Sequence, residues 1–131
     1  LTVVVDASLV IAAATDGGSR GKWSRSVLAS GDLHAPHLLG FEAASVLRRL
    51  TMQAVLVPLE ARQALEDILD LPIELAPMAP FASRIWALRD NIGAYDAAYV
   101  ALAEILSAPL ATLDRRLAHA PGAACRFLLP D

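Results

Sequence analysis

Four acidic residues draw attention by their positions. Asp6 ends the apolar run Thr2-Val3-Val4-Val5, and Asp114 ends Leu110-Ala111-Thr112-Leu113. Asp96 opens the stretch Ala97-Ala98-Tyr99-Val100-Ala101-Leu102, and Glu42 sits between Phe41 and Ala43-Ala44. Each has an ordinary explanation. Asp6, Asp96 and Asp114 suit helix caps or first turns, where the helix dipole favours an anion, and Glu42 can stand in solvent. The set says more than its members. Carboxylates crowded together repel, and they protonate or separate unless a cation holds them. An all-oxygen donor set with no Cys or His cluster beside it selects Mg²⁺ or Mn²⁺ over zinc.

Whether the four can meet depends on the elements that carry them. Thr2–Val5 is a β-branched run without polar alternation, as expected for a strand buried on both faces. Helix follows over 9–14 with Ser8 as its N-cap, ended by Asp16-Gly17-Gly18. A second helix is expected over 23–29, then a short strand over 33–35 stopped by Pro36. Apolar residues Leu39, Ala43, Val46, Leu47 and Leu50 recur at helical spacing across Leu38–Met52. Pro58 opens a helix over 59–69, 72–75 reads as a strand, and helices over 81–89 and 96–106 flank Asn91-Ile92-Gly93. The chain closes with a strand over 110–113, a short helix over 115–119 and a strand over 126–129. Strands separated by helices imply parallel pairing through right-handed crossovers. The expected fold is therefore a three-layer α/β/α sandwich around a central, mainly parallel sheet, with 1–131 as one domain. In such sheets ligands bind at the carboxyl ends of the strands, where Asp6 and Asp114 fall. Thr112 and Asp114 would share one side of a strand continued to Asp114.

Composition sets the boundaries. Hydrophobic residues are 56% of the chain and mean hydropathy is +0.48, a surplus that points to a partner surface. No apolar run reaches the ~18–20 residues of a membrane span, and Thr2-Val3-Val4-Val5 is too soon broken by Asp6 for a signal peptide. Leu1 as the first residue is expected to reflect loss of a start Met. The one cysteine, Cys125, cannot form an internal disulfide, so a reducing cytoplasm is the expected setting. The net charge of −3 argues against a general nucleic-acid binder. Yet the basic residues are almost all arginine, which suits bidentate phosphate contact.

The segments Val4-Val5-Asp6-Ala7-Ser8, Phe41-Glu42-Ala43, Ala94-Tyr95-Asp96-Ala97-Ala98-Tyr99-Val100-Ala101-Leu102-Ala103 and Leu113-Asp114-Arg115-Arg116-Leu117 resemble, in order and spacing, the successive motifs of PIN-domain nucleases. Chain size and the Tyr-Asp-Ala-Ala-Tyr stretch resemble in particular VapC-type toxins of bacterial toxin–antitoxin pairs. The resemblance implies a metal-dependent endoribonuclease hydrolysing RNA phosphodiesters. Asp6, Asp96 and Asp114 would be ligands to Mg²⁺ or Mn²⁺, with Glu42 acting directly or through water. Ser8 would orient the site near Asp6, and Thr112 matches a hydroxyl residue that supports the last acid. A homodimer and a VapB-like antitoxin, laying an amphipathic segment in an apolar groove, are implied as partners. Asn91-Ile92-Gly93 departs from the basic or polar approach to the Tyr-Asp pair that the family often has.

An acidic cleft that binds a polyanion needs basic residues at its rim. Arg115 and Arg116, directly after Asp114, are the first candidates for RNA contact, followed by Arg48, Arg49, Arg20, Lys22 and Arg25. His34 and His37 lie three apart with Pro36 between them, which argues against a helical zinc face. His119 suits a helix C-terminus, and Cys125, Trp23 and Trp86 read as core or interface. A phosphoacceptor receiver domain would need a lysine near the acids, and Lys22 is poorly placed. A phosphohydrolase with a strand-end Asp nucleophile would want an acid where Ser8 stands. The remaining alternative is a PIN-like protein-binding module with a weak or inactive nuclease site.

Overall fold

The computed structural model describes residues 1–131. Five strands form one parallel sheet: β1 Thr2–Val5, β2 Asp32–Pro36, β3 Ile73–Ala76, β4 Leu110–Ala111 and β5 Phe127–Leu128, in the order β3-β2-β1-β4-β5. Seven helices connect them: α1 Ala7–Thr15, α2 Ser19–Leu28, α3 Leu38–Met52, α4 Pro58–Asp70, α5 Ala82–Ala87, α6 Ala94–Leu106 and α7 Arg115–Ala118. From β1 to β3 the chain steps one way across the sheet, and α1, α2, α3 and α4 pack on one another. It then returns past β1 to β4, with α6 lying against β1, β2 and β4 and α5 beside it. Right-handed crossovers put the outward and return helices on opposite faces, so the expected three-layer sandwich is the fold observed. The strand order reverses between β1 and β4, and the crevice outside the carboxyl ends at such a point is where open α/β sheets bind ligands.

β1 is the middle strand, and Val4 and Val5 are wholly buried, as their unbroken apolar run requires. Several boundaries differ from those the sequence suggests, each for a local reason. Helix α1 begins at Ala7 because Asp6, rather than Ser8, is its N-cap: the Asp6 carboxylate accepts from the Leu9 N–H. Helix α2 starts at Ser19, four residues earlier than expected, behind an extended Gly18. Gly21 permits its contact with α1, since a Cβ there would lie 1.8 Å from the Asp16 carbonyl oxygen. Pro36 does not stop β2 but ends it in register with Ala76, and the His37 N–H continues the pairing to the Ala76 carbonyl at 2.9 Å. Proline at a final strand position removes only one donor.

The expected helix over 81–89 is a 3₁₀ turn, Ala79–Phe81, followed by the shorter α5. At its other end the Arg84 guanidinium grips the Glu104 carboxylate through two bonds of 2.7 and 3.0 Å and also donates to the Gly122 carbonyl. Glu104 in turn accepts from the Ala124 N–H. That network fixes the loop leading to β5, which lacks the length to hold itself.

Candidate metal-binding cleft

β4 stops at Ala111, two residues before the sequence suggests, because the backbone beyond it bonds to side chains. The Thr112 N–H still reaches the Leu128 carbonyl. The Leu113 N–H, however, donates to Ser8 Oγ at 3.1 Å and the Asp114 N–H to Thr112 Oγ1 at 2.9 Å. Both hydroxyls in turn donate hydrogen bonds to Asp6: Ser8 Oγ to Oδ1 at 2.6 Å, and Thr112 Oγ1 to Oδ2. The ends of β1 and β4 are thus laced together through one buried carboxylate, 6% exposed. Oδ1 also takes the Leu9 N–H, so both its lone pairs are engaged, and Oδ2 keeps one free.

The other three acids arrive from three more elements. Asp96 is the third residue of α6 and forms no side-chain hydrogen bond within the protein. Asp114 caps α7: its Oδ1 accepts from the Arg116 and Leu117 N–H groups at 3.0 and 3.2 Å, leaving Oδ2 without a protein partner. Glu42, in the second turn of α3, accepts the Tyr99 hydroxyl on Oε1 at 2.7 Å. All four line one open cleft of about 490 Å³, with Ser8, Tyr99, Arg20 and Arg49. The placement on strand ends and helix starts expected from the sequence therefore brings the four together.

The electrostatics of the cleft are those of a site short of positive charge. Burial pushes the Asp6 carboxyl above its ordinary range, against the pull of its Ser8, Thr112 and Leu9 bonds. Burial also raises Glu42, with Asp96 and Asp6 adding repulsion and the Tyr99 bond opposing it. Asp96 is raised by burial and by Asp114, with Arg116 opposing. Tyr99 is held far above the usual phenol range by burial and by Glu42, so it serves as a donor only. None of the four acids has a salt-bridge partner. Buried or half-buried anions without cations are costly. An all-oxygen set with free lone pairs fits a hard divalent ion.

The basic residues sort differently from their order in the sequence. Arg20 on α2 and Arg49 on α3 line the cleft, whereas Arg115 and Arg116 do not. The Arg115 side chain donates to the Pro130 carbonyl, and Arg116 is near enough for its charge to favour the Asp96 anion. Arg25 closes the end of α1 by donating to the Ala13 and Asp16 carbonyls. His34 lies outside the cleft on β2, its ring between Asp32 at 2.8 Å and Glu74 at 3.7 Å. His119 caps α7 as expected. Trp23 packs against the core, while Trp86 is exposed and carries Arg89 over its ring at 4.7 Å. Tyr99 was legible only as part of a motif, although its spacing of three from Asp96 puts both on one face of a helix.

Residues 3–123 match the PIN domain family. The chain belongs to the PIN-domain family. Among its PIN-domain relatives, a VapC ribonuclease of Mycobacterium bovis, Mb0985, is 42% identical over 123 residues, 94% of each chain. The fold of PAE2754 from Pyrobaculum aerophilum superposes with a TM-score of 0.74 at 21% identity, covering 97% of this chain and 83% of that one. VapBC2 from Rickettsia felis, solved bound to a DNA fragment from its promoter, gives a TM-score of 0.71 at 14% identity with both chains fully covered. The family resemblance drawn from the four motifs, and the sandwich expected with it, are both borne out.

Proposed function

We propose that this PIN-domain chain is a metal-dependent endoribonuclease, the toxin component of a type II toxin–antitoxin pair. The observation that carries the reading is the cleft itself: four carboxylates from four separate elements, none paired with a cation, lining one open cavity. The 42% identity to a VapC ribonuclease supports RNA as the substrate. Asp6, Asp96 and Asp114 are the proposed ligands to Mg²⁺ or Mn²⁺, with Glu42 acting directly or through water. When bound, the ion supplies a lowered pKa for water and charge to offset that on phosphoryl oxygens. The protein's own part is positioning. Ser8 and Thr112 hold Asp6 so that a single Oδ2 lone pair is offered, and Asp114 presents Oδ2 while its Oδ1 is tied to α7. Arg20 and Arg49 stand on the cleft to receive phosphates, and Arg115 and Arg116 remain candidates further along an RNA strand.

The apolar surplus supports protein partners. Phe41, Tyr95 and Met78, exposed by 82%, 69% and 62%, border an apolar pocket of about 380 Å³. A VapB-like antitoxin and a second copy of the chain are the proposed occupants of such surfaces. No helix is long and apolar enough to cross a membrane, and the cytoplasm is the proposed setting.

The test is cleavage of labelled structured RNAs by antitoxin-free protein in Mg²⁺, Mn²⁺ or EDTA, beside Asp96→Asn. Metal-dependent cutting that the variant loses by at least ~100-fold, the order expected when a group acting on the transition state is removed, is the expected result. Equal cutting by both proteins would remove the site assignment. Mn²⁺ binding without cleavage of any RNA would favour a binding module with an inactive site.

A further inference from the structure

We infer that Tyr99 is a positioning residue of the cleft, its hydroxyl holding Glu42 in one rotamer that leaves Oε2 unbonded for the cation. The inference rests on the metal-site reading above. Helix α6 carries Asp96 and Tyr99 three residues apart, hence on one face, so the same turn that delivers a carboxylate also delivers a phenol. The Tyr99 ring is 1% exposed, and its hydroxyl has one partner, Glu42 Oε1 at 2.7 Å. Glu42 stands on α3, which packs on α1 and α4, whereas α6 packs on α5 and the sheet. The bond therefore ties the two helical layers across the mouth of the sheet, where the helices themselves are not closely packed.

What the tie accomplishes follows from the shape of glutamate. Asp6 and Asp114 are short and each is pinned by at least two hydrogen bonds. Glu42 has a longer side chain and one bond, from Tyr99. With Oε1 engaged by the phenol and left one lone pair, Oε2 is the oxygen without any protein partner and the one more open to an ion or an ordered water. Partners of this kind orient a ligating group, and removing one typically weakens metal binding by 10–100-fold.

A phenol that merely filled the core would predict something else, because Phe keeps the ring and loses only the hydroxyl. The experiment is a double-mutant cycle read by Mn²⁺ titration in electron paramagnetic resonance, on wild type, Tyr99→Phe, Glu42→Ala and the double variant. Circular dichroism and melting are recorded without metal. The expected result is a 10–100-fold weaker Mn²⁺ affinity in Tyr99→Phe, and no further loss when Phe is added to Glu42→Ala. Glu42→Asp, which keeps the charge but withdraws it from the phenol, is expected to lose affinity to a similar degree. It carries the test if Tyr99→Phe does not fold. Wild-type affinity in Tyr99→Phe, an equal loss in the Ala background, or full affinity in Glu42→Asp would overturn the inference. Failure of the wild type to bind Mn²⁺ at all would instead overturn the reading of the site on which it rests.

Discussion

Replacing Asp96 by Asn should stabilise the metal-free protein while removing its response to metal. Asp96 is a half-buried anion with no hydrogen bond or salt-bridge partner, repelled by Asp114. The dipole of α6 favours a negative charge in its first turn by about 0.3–1 kcal/mol, and Asn forfeits that. Burial and repulsion by Asp114 nonetheless raise the Asp96 pKa against the help of Arg116. Single stabilising substitutions commonly yield about 0.5–2 kcal/mol, and about 1 kcal/mol is expected for relief of this charge. At roughly 2.1 cal/mol/K of unfolding entropy per residue, a chain of 131 residues shifts its Tm by about 4 °C per kcal/mol. Asp96→Asn should therefore melt about 4 °C above wild type at pH 7.5 in EDTA. Lowering the pH closes the gap. Asp6, Glu42 and Asp96 all have folded pKa values raised above their unfolded ones, so the folded wild type takes up these protons before the unfolded chain does. Their penalty is present at neutral pH and fades as the pH falls through the raised values. Mn²⁺ at 100 times its Kd adds about 2.7 kcal/mol, or roughly 10 °C, to wild type and little to the variant. A variant that melts below wild type in EDTA at pH 7.5, or metal lifting both proteins equally, would refute the reasoning.

Two further outcomes concern groups outside the acid cluster. Arg84→Ala breaks the bond to the Gly122 carbonyl and frees Glu104, which holds the Ala124 N–H of the loop before β5; with Arg84 40% and Glu104 15% exposed, solvent screening leaves about 1 kcal/mol, or roughly 4 °C in a thermal melt. Because Glu104 is held below its ordinary range by Arg84, this contribution stands at neutral pH and disappears as the pH drops below the usual carboxylate range, where variant and wild type should converge. Arg49→Ala should raise KM for RNA about 10-fold, the equivalent of ~1.4 kcal/mol, flatten the salt dependence of binding and leave Mn²⁺ affinity unchanged. An unaltered KM would take Arg49 out of the substrate path.

The acids were legible because strand ends and helix starts are visible in a sequence, and a sheet that reverses its order gathers them. Leu38–Met52 and Thr2–Val5 were legible for a related reason: one keeps a helical period throughout and the other is an unbroken β-branched run. The basic rim was not. Adjacency to Asp114 favoured Arg115, yet which arginines reach the cleft depends on how α2 and α3 pack over it, and that is a property of layers rather than of neighbours in sequence. The early end of β4 was hidden as well. Leu113 reads as strand, but its N–H goes to Ser8, more than a hundred positions away, and no local pattern reports such a bond. Ser8 was expected to cap α1; Asp6 caps it, and the hydroxyl is freed for the bond to Leu113.

The lacing of Asp6 to Thr112 joins positions 106 apart in the chain, which orders events during synthesis. A ribosome that has completed the first hundred residues has made Asp6, Glu42 and Asp96, but the central carboxylate still lacks one of its two hydroxyl partners and the fourth acid does not exist. The cleft is thus complete only once the chain has passed Asp114. An activity built on this scaffold would be silent in every copy cut short before Asp114, however well its first hundred residues had folded.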